Sequence, residues 1–470
     1  MSFLIYPTVK QAPILGLVGL GGGIARARGG GSENYWILSK YNNTGTSYID
    51  HAYDVDTDSA GNIIALGRSL PTGQYRSYYM VKVDTNGGIL TEKYLGNGSY
   101  AQNVDQTMGL SVDSSDNIHV GGRVNDTFYN AKLNSAGSSV TWQNKYSKSG
   151  QGDSFHRALD TDINGNVYSV GTARPTGFDA SGTRASLCKV NSSGTLQWVK
   201  FADSTSAGND AFYDVVADGA GNAQYPNIFA VGRSSYGSNG DSILICKFTR
   251  DGVLSTNKYI GGSAQDSNPK IAVDSSGLPY VAWEQNITGG KTIQLAKFNN
   301  GISAVTWERS LNGSAYLALT GLAVDSSGNA FVAFQGGQSS IGGGTEDHIA
   351  KYNSSGVLQW QTSIKSTMQS AAYVRTSKMI VDANDNLIIS AYGEDYNSAR
   401  FLVLKLPTED PIPNGTYGNF KFSTPTATDS AGSSTLSSNS VPVTTPTGYS
   451  ATNGGLTLGN ASLTSALTDL

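Results

Sequence analysis

Seven times this chain returns to an aspartate, a short turn that usually carries Gly-Asn, and then an apolar strand. The aspartates are Asp58, Asp113, Asp162, Asp218, Asp274, Asp325 and Asp382, so successive copies fall 49 to 57 residues apart. A supersecondary unit repeated at that period cannot bury its apolar face alone and must stack on its neighbours, and the period is that of a propeller blade. Glycine is abundant at 57 residues and only 14% of the chain is charged, which suits short strands joined by tight turns and leaves little room for helix.

The copy around Asp325 shows the unit most plainly. Gly321 to Val324 and Asn329 to Phe334 are apolar segments separated by Asp-Ser-Ser-Gly, where the aspartate caps the turn and the glycine takes the left-handed conformation. His348 to Tyr352 and Val357 to Trp360 flank Asn-Ser-Ser-Gly in the same way. Two hairpins give four strands, A to D, and one blade. The third strand carries a recurring lysine: Lys40, Lys82, Lys132, Lys189, Lys247, Lys297, Lys351 and Lys405. That is one more lysine than there are A-B hairpins. The segment Trp36 to Tyr41 is therefore expected to be a displaced C strand, with residues 35 to 50 lending one or two strands to the blade begun at Asp382 and closing the ring. The expected fold is all-β: a seven-bladed propeller of four-stranded blades over residues 34–410, with an N-terminal arm, 1–33, and a C-terminal arm, 411–470.

Trp142, Trp198, Trp307 and Trp360 fall on D strands at a repeat-locked position, which points to packing between blades rather than to stacking platforms for a ligand. Trp36 and Trp283 sit elsewhere in their units. Cys188 and Cys246 each precede a C-strand lysine, and equivalent strands of neighbouring blades stand too far apart for a disulfide. They read as small buried thiols.

Chemistry is harder to find. His51, His119, His156 and His348 lie in different repeats without metal-ligand spacing, and there is no nucleophile elbow and no phosphate loop. Asp160-Thr-Asp162-Ile-Asn164-Gly165 matches the first half of a calcium loop, yet its twelfth position is Gly171, not glutamate, so a hairpin turn is the better reading there, as it is for Asp56 and Asp58. Glu284, Glu346 and Glu394 read as solvated acids near strand ends. No metal, no cofactor and no enzymatic activity are expected. A net charge of -4 offers no phosphate-neutralising surface, so nucleic acid is not an expected partner. No apolar run approaches the roughly 20 residues of a membrane helix. The candidate ligand-binding residues are Arg68, Arg123 and Arg233, each following a glycine at the end of strand B, where an arc of guanidinium groups on one rim would bind an anionic sugar or a partner's carboxylates.

The ends differ in composition. The stretch from Pro13 to Leu20 is short, glycine-broken and followed by Arg26 and Arg28, a poor match to a signal peptide, so no cleaved leader is expected. After Pro413 the chain turns Gly-, Ser-, Thr- and Asn-rich and cannot build a core of its own. Both arms are therefore expected to be held by neighbouring subunits of a symmetric assembly.

The units DSSGNAFVAF and KYNSSGVLQW resemble the bacterial beta-propeller repeat family over about residues 35 to 407, with departures at Leu278-Pro279 and at the insertion after Asn222 that imply locally irregular blades. The ends resemble structural proteins of marine tailed phages, particularly those of cyanobacterial viruses, in Asn414-Gly-Thr-Tyr-Gly418, in Thr428-Asp-Ser-Ala-Gly-Ser433 and in the N-terminal YPT with its glycine-rich run. That likeness implies a virion protein of the tail, baseplate or fibre, whose arms dock on other virion proteins while the propeller projects, with a host glycan or receptor as a further partner. The alternatives are a bacterial surface or secreted glycan-binding propeller and, behind it, a propeller lyase or glycosidase.

Overall fold

The computed structural model describes residues 24–28, 34–41, 48–69, 77–96, 104–124, 127–148, 154–173, 182–202, 209–218, 227–235, 241–261, 266–288, 290–312, 317–336, 346–367, 373–395, 398–417, 419–425, 427–432, 435–437, 443–444, 449–453, 457–460 and 464–469. Every element among them is a β-strand, and the strands form seven sheets arranged as a propeller. The inner A strands are His51–Thr57, Val104–Val112, Ser154–Thr161, Ala211–Asp218, Asp266–Val273, Leu317–Val324 and Tyr373–Val381, for blades 1 to 7. Each pairs antiparallel with B, B with C and C with D.

The turns form as the repeat predicts. Asp58 accepts from the backbone N–H groups of Ala60 and Asn62 and from the Asn62 side chain, while Gly61 takes φ +76°. In blades 2 and 7 an aspartate replaces the left-handed glycine, Asp116 at φ 62° and Asp385 at φ 57°. The strain has a local return: Asp116 accepts from the Ser59 N–H and hydroxyl of blade 1, and Asp385 from those of Ser326 in blade 6. Pro279 opens its strand opposite Val273, where no ladder hydrogen bond is lost from the interior, and blade 5 keeps four regular strands. The insertion after Asn222 lies outside the described residues.

Ring closure uses one full strand, which is D rather than C, and the two-residue strand Tyr48–Ile49, which pairs in parallel with Ser398 and Ala399 of blade 7. Asn34–Tyr41 pairs with Ser398–Pro407, the C strand of blade 7. Trp36 stands opposite Lys405, as Trp142 stands opposite Lys132, Trp198 opposite Lys189, Trp307 opposite Lys297 and Trp360 opposite Lys351. Trp36 is thus the D-strand tryptophan of blade 7, and Lys40 is no C-strand lysine; its ammonium pairs with Glu92. The tryptophans clasp the next blade: the indole N–H groups of Trp36, Trp142 and Trp307 donate to the carbonyls of Thr85, Ser192 and Ser354 in the following C-D turn. The turn glycines make room for the ring, since a Cβ on Gly356 would lie 2.7 Å from Trp307. The C-strand lysines do related work. Lys82 pairs with Asp58 of its own blade at 2.7 Å and donates to Ser135 O of the next, and Lys189 and Lys247 donate to Arg250 O and Asn300 O.

The C-terminal arm finds its partner inside the chain. Gly415–Tyr417 and Phe420–Ser423 form a hairpin on the D strand of blade 6. Thr428–Ala431, Thr435–Ser437, Val443–Thr444, Tyr449–Asn453 and Thr457–Asn460 then pair antiparallel with the D strands of blades 5, 4, 3, 2 and 1 in turn. Thr464–Asp469 reaches the closing strand of blade 7, where Ile24–Arg28 also pairs. The segment is a belt that runs round the ring against the chain direction and adds an outer strand to every blade. The expectation that it needs a neighbouring subunit for order fails because the unpaired D-strand edges supply the hydrogen bonds that its polar sequence cannot make by itself. Side-chain anchoring is concentrated where the belt begins. Ile412, Phe420 and Phe422 are buried in the core shared by blades 6 and 7, and Asp429 pairs with Arg309 and accepts from the Tyr352 hydroxyl at 3.0 Å.

Candidate functional site

The three arginines singled out above do not form a rim arc. Their preceding glycines are needed for space: a Cβ on Gly67 would lie 1.8 Å from His51 O and one on Gly232 2.0 Å from Ala211 O, where strands A and B approach closely, and one on Gly122 would lie 2.1 Å from the Tyr78 hydroxyl of blade 1. Arg68 is sealed in the interior, 1% exposed, 6.0 Å from the Tyr53 ring. Arg233 is held by Asp241 at 3.2 Å, and Arg123 lies half-buried where its carbonyl accepts from the Tyr78 hydroxyl. One is inaccessible and one is pinned, so they share a register position without sharing a surface.

The groups that do converge lie on the inner strands. Each A strand carries a β-bulge five to eight residues before its turn aspartate, which swings side chains toward the axis. At and just after the bulge, where other blades carry Gly109, Ala158 or Gly321, the chain places Tyr53 and Asp54 in blade 1, Arg157 in blade 3, Tyr213 and Asp214 in blade 4, Lys270 in blade 5 and Lys378 in blade 7. Lys378 donates to Asp214 at 3.2 Å, from blade 7 to blade 4. These blades stand on opposite sides of the ring, so the pair crosses the channel and floors it. Burial works against the Lys378 charge, but Asp214 and Asp54 outweigh it and hold its pKa above the ordinary lysine range.

The channel carboxylates are staples between blades. Asp54, Asp56, Asp160 and Asp214 each give one oxygen to the N–H of the next residue and the other to the N–H of Leu110, Val112, Ala217 or Ile271 in the following blade. Burial raises the pKa of Asp54 and Asp160 to about 6 and that of Asp56 to about 7, against the pull of those hydrogen bonds. Asp347, on the C strand of blade 6, also ties its blade to blade 7, accepting from the Thr320 hydroxyl and from the Thr376 N–H and hydroxyl, with its pKa raised by burial to about 7. Glu284, expected at the surface, is 5% exposed and accepts from Asn268, Lys291 and the Leu319 N–H of blade 6. Asp160 and Asp162 point apart, the latter into its own turn, where it accepts from Asn164, Asn166 and Tyr168. No half-loop for calcium is assembled there.

Above the floor, on the face where the inner strands begin, lies a cup. Its blade 7 and blade 1 side is aromatic: His51 stacks on Tyr392 at 3.9 Å between centroids, its Nδ1 is 2.8 Å from the Tyr53 hydroxyl, and Tyr373 packs edge-on to Tyr392. Its blade 3 to blade 5 side is cationic, with Arg157 4.2 Å over the Tyr213 ring and Lys270 beyond. The other histidines are structural. His119 sits 3.0 Å from Asp113, His348 stacks on Phe334, and burial drives the pKa of His156 down to about 3. Cys188 and Cys246 are free, buried thiols, and burial pushes Cys188 up to about 12. The sequence signal for the cup is the break in the repeat just ahead of each turn aspartate.

No family model matches this chain, and no curated protein matches it. Solved structures match across the ring. An ulvan lyase, described as representing a new polysaccharide lyase family, is 11% identical, covering 76% of this chain and 96% of its own at a TM-score of 0.46. The Dos1 propeller is 10% identical, covering 81% and 88%, with a TM-score of 0.42. A gluconolactonase from Xanthomonas campestris is 11% identical, covering 83% and 99%, with a TM-score of 0.35. These likenesses concern the propeller ring alone. One expectation is corrected: the lack of a familiar motif does not exclude catalysis. A site assembled at a channel mouth draws one residue from each of several blades and leaves no local motif.

Proposed function

We propose that this chain is a tail-associated component of a phage particle that presents the channel-mouth face of its propeller for host attachment. The observation that carries the reading is the seam on blade 7. Ile24–Arg28 and Thr464–Asp469 both lie against the closing strand Asn34–Tyr41, so the two phage-like ends meet at one point on the rim. With every other blade edge taken by the belt, this seam is the part of the rim offered to other virion proteins, and the two faces of the ring are left for a receptor. Mass spectrometry of gradient-purified particles, with antibody labelling in electron micrographs, tests this. The chain is expected in the particle, with label on the tail. Its absence from particles made by cells that express it rejects the proposal.

A second reading, a bacterial surface or secreted glycan-binding propeller, is favoured by the aromatic and cationic cup itself. It predicts the protein on cells or in medium without any particle.

A further inference from the structure

Arg157 is a cation that its surroundings position without neutralising. It sits at the bulge of the blade 3 inner strand, held against the Tyr213 ring by a cation–π contact at 4.2 Å. Its Nε is buried without a hydrogen-bond acceptor, and no carboxylate pairs with it among the described residues. An ordinary structural arginine at that depth has an acid beside it, because a desolvated guanidinium left unpaired is costly. Here the ring face of Tyr213 orients the group, and among the described residues no acid compensates the charge.

A second cation faces the same space. Lys270, from the bulge of blade 5, makes no direct ion pair among the described residues; burial, with Lys378 and Arg157, lowers its pKa against the pull of Asp214 and Asp54, so an anion that reaches it restores its charge. Asp214, the nearest acid of that arc, is already engaged by Lys378 and by the N–H groups of Val215 and Ile271. Blades 3, 4 and 5 are consecutive, so Arg157, Tyr213 and Lys270 form one continuous arc of the wall, cation, aromatic, cation. Across the mouth stand Tyr53 and Tyr392, each partly exposed and held in place by the buried His51, which stacks on Tyr392 and bonds the Tyr53 hydroxyl. The Lys378–Asp214 bridge floors the cup, so a ligand enters from one face and stops.

We infer that this cup binds the acid group of an anionic sugar, with Arg157 as the anchor, Lys270 as the second cation, and the tyrosines taking the sugar's hydroxyls and C–H faces. A carboxylate or sulfate group pairs with the terminal nitrogens of the Arg157 guanidinium, whose buried Nε stays behind them, and lies in the field of Lys270. The rings across the mouth give a sugar what a bare inorganic anion does not use. This inference deepens the attachment reading by naming the receptor chemistry, and it holds for the purified chain whether or not the protein belongs to a particle.

The test is direct binding of the full chain to three fluorescent probes of matched length: oligogalacturonate, sulfated dextran and neutral dextran. At least one acidic probe is expected to bind, more weakly as salt rises, with neutral dextran inert, and the pattern tells a uronate site from a sulfate site. Arg157→Gln is expected to weaken that binding about tenfold or more, as does loss of a charged hydrogen bond elsewhere, with Lys270→Gln weakening it less. Unchanged melting of both variants locates the loss in the cup. Failure of both acidic probes to bind, equal binding of the neutral one, or undiminished binding by Arg157→Gln overturns the inference. Should Arg157→Gln not fold, undiminished binding by Lys270→Gln does so. A chain absent from virions that still binds an acidic probe would sink the virion reading and leave this one standing.

Discussion

The blades and the belt reach the same secondary structure from opposite kinds of sequence. A blade strand such as Ala330–Gly336 is apolar on both faces and buried on both, because it packs against the blades beside it. A belt strand such as Thr428–Ala431 is polar and largely exposed, and it is a strand because a D strand lies beside it. The blades teach that repeated side-chain chemistry builds a fold from within. The belt teaches that an unpaired sheet edge imposes strand geometry on a sequence with little preference of its own, because edge pairing is a property of the backbone.

The hardest way to break the comparison is to remove the belt. Deleting residues 411–470 bares the outer edge of six blades and strips Ile412, Phe420 and Phe422 from the core, so the truncated chain is expected to aggregate and to melt well below the full one. Light scattering and calorimetry will show it. A monomeric truncation with unchanged melting would mean that the belt is passive decoration.

Within the belt the anchor should behave like blade core. Phe422→Ala is expected to cost about 3 to 5 kcal/mol, as Phe331→Ala does in blade 6, because both rings are fully buried. Chemical denaturation of the two variants side by side sharpens the claim, and a belt variant costing under about 1 kcal/mol would break it.

The buried carboxylates that tie blade to blade give a pH signature that belongs to the ring alone. Asp54, Asp56, Asp160 and Asp347 hold protons more tightly folded than unfolded, so their contribution is present near pH 4 and is lost as pH rises through about 6 to 7. The melting temperature is expected to fall between pH 5 and pH 7.5, and Asp56→Asn should flatten that slope. A rise over the same window would contradict the assignment. Asp113, held low by His119 and Lys132 despite its burial, acts in the opposite sense only at far lower pH.

The smallest effect is expected at the Asp429 clasp. Asp429→Asn weakens the pair with Arg309, which is 28% exposed, and should cost about 1 kcal/mol. Amide exchange is expected to quicken in Thr428–Ala431 while the blade 5 inner strand, Asp266–Val273, is unaffected. Equal quickening of both would show that belt and blade open together.

The sequence by itself determined the ring. Asp58 and its counterparts in the described turns cap them through neighbours two to four residues away, and chemistry that local is legible without a structure. The role of Trp36 was nearly within reach, since it takes the same place opposite a lysine as Trp142 does; only its displacement to the front of the chain hid it. Tertiary structure decided the rest. The belt is invisible in composition because its partners are backbone edges, not side chains. The cup is invisible because bulges in separate blades bring Arg157, Tyr213 and Lys270 together, and Lys378 reaches Asp214 across 164 residues of chain. A closed ring turns residues far apart in sequence into neighbours round one axis, and no local pattern can announce that.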